Sequence, residues 1–309
     1  MRREVVVGTR GSRLALAQAD WVIDHLRARY PRVSFVRKEI RTTGDNILEV
    51  ALAKIGDKGL FTKELEQALL HREIDLAVHS MKDLPTRLPE GLVIGAVSVR
   101  EYPGDVFISR GGERLEELPA GAVLGTSSLR RTAQLLAYRP DLQVIPVRGN
   151  VQTRLRKLDE GVVDALVLAW AGLFRLGLTE RVTHRIPVAM CLPAVGQGAL
   201  GIEARADDAE ILEMLRTIDH APTRAAVQAE RTLLRRLEGG CQVPVGALGR
   251  FRDGRLVLEA VVASLDGTEL VRAQESGPAD RPEALGNSLA VRLLEMGAGE
   301  ILARVRAGA

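Results

Sequence analysis

The feature of this sequence that most constrains its fold is an alternation of short apolar runs with segments of helical period. Runs rich in Val, Ile and Leu, such as 4–7 and 33–40, are typical of strands. Between them, Leu14 and Ala17 recur at the spacing of one helix face, after Ser12, which can cap the helix. Strands that alternate with helices indicate βα units around a mainly parallel sheet, so we expect an α/β protein.

The alternation restarts after Asp105, and the second half repeats details of the first. The stretch G-T-R-G-S-R-L-A-L-A-Q at 8–18 is echoed by G-T-S-S-L-R-R-T-A-Q at 125–134, and Asp75-Leu-Ala-Val by Asp164-Ala-Leu-Val. Each echo places Gly-Thr at the end of a strand, and hydroxyl and Arg residues at the first turn of a helix. We therefore expect two similar αβ domains whose strand ends face each other across a cleft.

The closing part of the chain has another character. Its apolar runs lie on either side of Asp-Gly turns at 253–254 and 266–267, which indicates a small antiparallel sheet. The expected elements are strands at Val243–Phe251, Leu256–Ala263 and Glu269–Glu275, and one helix from Pro282 to Val305. This part reads as a small α+β domain. The expected domain limits are 1–98 with 198–219, then 99–197, and then 220–309.

Charge and composition narrow the class of partner. The chain has 43 basic and 40 acidic residues, interspersed along its length, and only 3% aromatic residues, which argues against nucleic acid. No apolar window reaches the roughly 18 residues of a membrane span, and the N-terminus does not resemble a signal peptide. The two cysteines suggest neither a disulfide framework nor a metal site. We expect a cytoplasmic protein.

Arginine is the unusual component, because only six of the 43 basic residues are lysine. Codon bias would explain this surplus, and so would the binding of carboxylates or phosphates by planar guanidinium groups. Several arginines stand where helices are expected to begin, next to N–H groups that attract anions. These arginines are Arg10, Arg13, Arg130, Arg131, Arg148, Arg154 and Arg156. Each alone could be a solvated side chain, but together they predict a site for a polyanion.

Two further segments carry candidate chemistry. In H-S-M-K-D-L-P at 79–85, Lys82 and Asp83 follow a predicted strand. One interpretation is that they belong to an ordinary loop. The other is that nearby cations keep Asp83 ionised, so that its carboxylate stabilises positive charge on a ligand. His79 is a general base or a hydrogen-bonded residue at the strand end. Cys241 follows two glycines, so its thiol could be exposed on a loop and serve as a nucleophile or an attachment point. The alternative is that Cys241 is a small apolar residue that fills space in the core. Cys191 is interpreted as such a residue.

Eight ordered motifs resemble the porphobilinogen deaminase family over essentially the whole chain. They are T-R-G-S-R-L-A-L-A-Q (9–18), K-G-L-F-T-K-E-L-E (58–66), D-L-A-V-H-S-M-K-D-L-P (75–85), G-T-S-S-L-R-R (125–131), R-G-N-V-Q-T-R (148–154), A-G-L-F-R-L-G (171–177), L-P-A-V-G-Q-G-A (192–199) and L-E-G-G-C-Q-V-P-V-G-A (237–247). The resemblance implies two periplasmic-binding-protein-like αβ domains flanking a cleft, plus a small C-terminal α+β domain. It also implies a transferase that joins four porphobilinogens head to tail, releases ammonia at each addition and hydrolyses the linear hydroxymethylbilane free.

The same resemblance implies a dipyrromethane cofactor, held by a thioether to Cys241, and a monomeric enzyme without metal, membrane or nucleic-acid partners. Asp83 falls on the catalytic aspartate of the family. The cofactor-binding residues would be Cys241, Lys82, Ser128, Arg130, Arg131 and Gln197. The substrate-binding residues would be Arg10, Ser12, Arg148, Arg154 and Arg175. The segment Leu48–Lys58, with Phe61, resembles a flexible loop over the cleft.

Two other classes of protein remain open. A non-catalytic, two-lobed binding protein for a polycarboxylate ligand would have the same architecture without needing a displayed thiol. A cysteine hydrolase would pair Cys241 with a histidine, although none of the five histidines lies near it in the sequence. Release of ammonia from porphobilinogen distinguishes the transferase from both.

Overall fold

Residues 4–46, 61–237 and 243–307 are described by a computed structural model of the chain. The first lobe begins with a βαβ unit in which two strands pair in parallel. Its elements are β1 (Glu4–Thr9), α1 (Arg13–Arg29), β2 (Ser34–Glu39), α2 (Thr43–Asn46), α3 (Lys63–Leu70), β3 (Leu76–Ser80) and β4 (Leu92–Val97). β1 lies between β2 and β3 and is parallel to both. Its buried Val5 and Val7 pack against Val22 and Leu26 of α1, which explains the apolar pattern of both segments.

The chain then crosses at residues 98–104, the first crossing, into the second lobe. The elements of this lobe are β5 (Asp105–Ser109), β6 (Val123–Gly125), α4 (Leu129–Tyr138), β7 (Gln143–Ile145), α5 (Val151–Asp159), β8 (Ala165–Ala169), α6 (Trp170–Arg175) and β9 (His184–Arg185). Their sheet order is β7-β6-β8-β5-β9. β6 is parallel to β7 and β8, whereas β5 is antiparallel to β8 and β9.

A second crossing, residues 186–199, returns the chain to the first lobe, where β10 (Leu200–Arg205) inserts between β3 and β4 and α7 (Ala209–Leu215) follows. β10 is antiparallel to both of its neighbours. Both sheets are mainly parallel, as expected, and one strand of each, β10 in the first lobe and β5 in the second, runs antiparallel to its neighbours. Each of these strands enters directly from a crossing and runs opposite to the βα units. The two sheets still share one topology, as the sequence echo predicts.

The remaining elements form the third unit, a three-stranded antiparallel sheet covered by helices. They are α8 (Ala221–Arg236), β11 (Val245–Arg252), β12 (Arg255–Ala263), β13 (Leu270–Gly277), α9 (Pro282–Leu293) and α10 (Gly299–Ala307). The β11–β12 turn has positive φ at both Asp253 and Gly254, which suits an Asp-Gly hairpin. The expected single helix from Pro282 to Val305 is interrupted, because the wide turn Leu294–Ala298 contains Gly297 at φ 99°.

The described residues thus confirm the expected fold class, two αβ lobes with a small α+β unit after them. Among the described helices, none is both long enough and apolar enough to span a membrane. The limits expected for the three domains stay a prediction.

Candidate active site

A cleft of about 580 Å³ opens where the strand ends of the two lobes meet. Its size is in the range of small-molecule sites. Among its described lining residues, seven are basic and Asp83 alone is acidic. The basic residues are Arg10, Arg41, Lys82, Arg131, Arg148, Arg154 and Arg175. Such an excess of cations around one carboxylate favours a ligand with several negative charges.

Three helices begin at or next to this cleft, each capped by a polar side chain. Ser12 Oγ accepts a hydrogen bond from Ala15 N at the start of α1 (3.3 Å), and Asn150 Oδ1 accepts one from Thr153 N at the start of α5 (2.9 Å). Ser128 caps α4. Capping leaves the other N-terminal N–H groups of each helix available to an anion. Ser12 is the cap that the sequence predicted, and the N-termini of these helices add to the positive potential of the cleft.

Several of the arginines are held in place by contacts within the protein. The guanidinium of Arg10 lies over the ring of Phe61, 4.1 Å from its centroid. Arg154 Nε donates to Gly149 O (2.8 Å), and Arg175 Nη2 donates to Gly198 O (2.6 Å). Burial lowers the pKa of Arg154 and of Arg175 to about 10. Both side chains are thus charged at neutral pH, and the desolvation that lowers their pKa favours pairing with an anion.

Lys82 and Asp83 reach the cleft because a single helical turn, Met81–Asp83, follows β3 directly. Met81 on this turn is buried, whereas Asp83 is exposed in the cleft. Lys82 Nζ donates to Gln197 Oε1 at 3.5 Å. Desolvation, with the nearby charge of Arg131, lowers the pKa of Lys82 to about 8. The turn therefore presents a titratable cation and a carboxylate side by side.

The sequence analysis did not predict one carboxylate, that of Asp105, which holds several residues of the site in place. Asp105, the first residue of β5, is fully buried and accepts hydrogen bonds from Arg131 Nη2 (2.7 Å) and Gln197 Nε2 (2.8 Å) on Oδ1. Arg130 Nη2 lies 2.8 Å from its Oδ2. Burial alone would raise the pKa of Asp105, but Arg130 and Arg131 outweigh it and hold this pKa well below its usual range. An isolated aspartate before an apolar strand carries no motif that would predict this role.

The structure brings together most of the predicted site residues. The described cleft lining includes Arg10, Ser12, Lys82, Asp83, Arg131, Arg148, Arg154, Arg175 and Gln197. Arg130 and Ser128 are not part of this described lining; Arg130 is buried and its Nη1 donates to Leu192 O (2.6 Å). Cys241 and the segment Leu48–Lys58 lie outside the described residues.

Two titratable residues from the sequence analysis lie away from the described lining. His79 is buried with Nε2 3.1 Å from Glu203 Oε2, but this Nε2 makes no hydrogen bond among the described residues, so the prediction of a hydrogen-bonded histidine stays a prediction. Cys191 is buried in an apolar cluster, as a filler would be, and its Sγ also lies 3.3 Å from Arg130 Nη1. Burial raises the pKa of Cys191 to about 12. Its thiol is therefore protonated at neutral pH.

Together, fold and site define a two-lobed α/β protein with a cleft for a polyanionic small molecule. Comparison with known proteins identifies the family. The family described as "Porphobilinogen deaminase, dipyromethane cofactor binding domain" matches residues 5–213, and "Porphobilinogen deaminase, C-terminal domain" matches 224–295. The chain belongs to the porphobilinogen deaminase family.

Individual relatives agree with this assignment. The porphobilinogen deaminase of Pelotomaculum thermopropionicum is 61% identical over 306 residues, covering 99% of this chain and 98% of that protein. That of Synechococcus elongatus is 56% identical over 303 residues, with coverage of 97% and 95%. The expected family, transferase activity and dipyrromethane cofactor are confirmed by these matches.

Solved structures with a lower similarity were also found. The methionine-binding protein MetQ is 13% identical, with a TM-score of 0.44 over 70% of this chain and 88% of that one. The periplasmic aliphatic sulphonate binding protein SsuA of Escherichia coli is 14% identical, with a TM-score of 0.41 over 76% and 70%.

Proposed function

We propose that this chain condenses four porphobilinogens into hydroxymethylbilane in the cationic cleft, with Asp83 as its catalytic carboxylate. The observation that carries this assignment is the charge pattern of the cleft, in which Asp83 is the one acidic residue of the described lining. Each pyrrole ring of the substrate carries an acetate and a propionate, so a growing chain accumulates negative charge. The surrounding cations suit such a ligand.

The described residues fit the dipyrromethane cofactor. The buried Nε atoms of Arg130 and Arg131 have no hydrogen-bond partner among the described residues, and Arg131 lines the cleft, so it can donate to a carboxylate there. Lys82, Arg131 and Gln197 would contact the cofactor, and Arg130 and Ser128 would support them. Bound through Cys241, the cofactor supplies the primer to which pyrroles are added.

The remaining cations of the lining are suited to hold the substrate. Arg10, Arg148, Arg154 and Arg175 would bind the acetate and propionate groups, and Ser12 would assist at the start of α1. Guanidinium groups bind carboxylates through two parallel hydrogen bonds, which fixes the orientation of each ring as well as its position. Correct orientation beside Asp83 is itself a large part of the rate enhancement in a coupling reaction.

Asp83 can act on the part of the substrate that becomes positively charged. When ammonia leaves porphobilinogen, the remaining methylene-pyrrole is a cation. The Asp83 carboxylate accepts a hydrogen bond from the pyrrole N–H and lies against the developing charge, which lowers the barrier to departure of ammonia. The arginines do not cancel this effect, because the ligand carboxylates that they bind neutralise them. In coupling, Asp83 can then accept the proton lost from the ring carbon that forms the new bond.

The variant Asp83→Asn tests this role because it keeps the shape of the side chain and removes its charge. We expect kcat for ammonia release to fall by about 10² to 10³, with the free energy of unfolding unchanged, since Asp83 is exposed. Intact mass should first confirm that the variant carries its cofactor. Asp83→Glu, which keeps the charge, should recover part of the rate. Wild-type turnover by the loaded Asp83→Asn enzyme would contradict the assignment.

We also propose that the enzyme is a monomer of the cytoplasm that needs no nucleic acid, and that its domains are 1–98 with 198–219, 99–197 and 220–309. The even balance of basic and acidic residues supports the absence of a nucleic-acid partner. The return of β10 to the first sheet supports a first domain built from two separate stretches of the chain. Light scattering after size exclusion tests the oligomeric state, cell fractionation the location, and limited proteolysis the domain limits. A stable dimer or a membrane-bound fraction would refute the corresponding point.

A further inference from the structure

Helix α8 of the third unit contacts two segments at the cleft, the one after Asp83 and the one that contains Gln197. It ends at Arg236, shortly before Cys241 in the sequence. Glu230 and Arg231 are adjacent on this helix, and both are buried, at 0% and 8% exposure. Buried charges require partners, and the partners of these two residues lie in other parts of the protein.

Glu230 receives four hydrogen bonds from three different segments. On Oε1 it accepts from Arg100 Nη1 (2.5 Å) and Gly249 N (2.7 Å). On Oε2 it accepts from Gly196 N (2.7 Å) and Arg100 Nη2 (3.2 Å). Arg100 lies on the first crossing, Gly196 on the second and Gly249 on β11. One carboxylate therefore ties both connections between the lobes to the third unit.

The same contacts continue to residues of the cleft lining. Arg100 Nε donates to Gln197 O (2.8 Å), and the side chain of Gln197 contacts Lys82. Arg231 acts on the other side of the site: its Nη1 donates to Leu84 O (3.1 Å) and its Nη2 to Pro85 O (2.6 Å). These carbonyls directly follow Asp83 in the chain. Helix α8 thus holds the segment after Asp83 and the backbone of Gln197.

We propose that Glu230 and Arg231 are positioning residues that hold the Asp83 turn and Gln197 in register with the end of α8 that leads to Cys241. This inference rests on the proposed function for the roles of Asp83 and Cys241, but the contacts themselves do not. The contacts of Arg231 fix the end of α8 relative to the segment that follows Asp83. Small displacements of a reacting group cost large factors in rate.

The proposal predicts that variants at these two positions lower kcat but leave KM nearly unchanged. Two of the substrate-binding arginines are held by contacts away from α8, Arg10 by the ring of Phe61 and Arg154 by Gly149 O, whereas Arg175 donates to Gly198 O on the second crossing. Loosening α8 should therefore leave substrate binding nearly intact and impair the chemical step. For Glu230→Gln we expect kcat to fall by about tenfold or more, with KM within about twofold of wild type.

The variants to compare are Glu230→Gln, Arg231→Gln and Arg231→Lys, all in the holoenzyme. Arg231→Lys keeps the charge and one donor, so it should recover part of the lost kcat and is the variant of choice should the others not fold. Arg235→Gln is the matched control, because Arg235 lies on the same helix, is exposed and contacts Thr232 of its own helix. Its kcat should equal that of the wild type.

Hydrogen exchange supplies a readout that does not depend on activity. The Gly196 amide is bonded to Glu230, so the peptide that contains it should exchange faster in Glu230→Gln and at the wild-type rate in Arg235→Gln. Faster exchange with a reduced kcat and an unchanged KM supports the proposal. Unchanged exchange, or a KM that rises as much as kcat falls, overturns it. If the wild-type protein itself released no ammonia while exchange still rose in Glu230→Gln, the proposed function would be refuted and the structural role of Glu230 would stand.

Discussion

A substitution at the buried carboxylate of Asp105 tests whether this residue stabilises the charges of Arg130 and Arg131. Arg130 and Arg131 are 4% and 5% exposed, and both pair with this one fully buried side chain. In Asp105→Asn the shape is preserved, but two guanidinium groups lose their counter-charge, and an amide N–H₂ faces one of them. The two cations then repel each other in a region of low dielectric.

The size of the effect follows from burial. Removing one partner of a buried ion pair typically costs about 3 to 5 kcal/mol, because the remaining charge is left without compensation. Arg72 and Asp207 form a pair with the same 2.7 Å separation as Arg131 and Asp105, but their side chains are 61% and 66% exposed. An exposed pair contributes only about 0.2 to 1 kcal/mol. Asp207→Asn is therefore the matched control.

The assay is urea unfolding of the three proteins, followed by far-UV circular dichroism. We expect Asp105→Asn to lower the free energy of unfolding by about 3 to 5 kcal/mol at pH 7. Because the folded pKa of Asp105 is depressed, its stabilising charge is present above its unfolded pKa of about 3.9 and is lost as pH falls below it. The difference from wild type should thus shrink in acid. Equal losses for Asp105→Asn and Asp207→Asn would refute the reasoning.

Three further predictions follow from single features of the site. Because burial raises the pKa of Cys191 to about 12, this thiol should resist iodoacetamide at pH 8 in the folded protein and react after unfolding; labelling of the folded protein, located by peptide mapping, would contradict this. Lys82, with a pKa of about 8, loses its charge as pH rises through 8, so assembly of the cofactor on the apoprotein, followed by intact mass, should slow there in the wild type but not in Lys82→Arg; equal slowing in both proteins would contradict this. Gly198→Ala should cost about 1 to 3 kcal/mol or more, measured by thermal unfolding, since φ is +96° and the new Cβ would lie 2.3 Å from Glu101 O; an unchanged melting temperature would show that the backbone adapts.

Local signals predicted a large part of this structure. The apolar runs at 4–7 and 33–40 fall on β1 and β2, and Ser12 caps the helix expected to follow it. These features depend on residues close together in the chain, where hydrophobic period and capping chemistry act directly. The repeated pattern also predicted that the two lobes share one topology, which the two sheet orders confirm.

Elements that depend on distant partners were missed. β10 follows a glycine-rich segment and becomes a strand by pairing with β3 and β4, far away in the sequence. The last helix was expected to be continuous, because its apolar residues keep a helical period through the turn at Gly297. Strand formation and helix breaks of this kind are decided by packing in the folded chain.

For the site, the sequence by itself determined the types of residue: arginines at helix starts, a carboxylate after a buried strand and a cysteine after two glycines. Only the tertiary structure decided that Arg131 lines the cleft while Arg130 is not part of its described lining, that Asp105 pairs with both, and that Glu230 joins the two crossings to the third unit. The physical reason is that the energy and the role of a buried charge depend on the groups that pair with it. Those partners come from segments up to 130 residues apart, whose meeting no local pattern encodes.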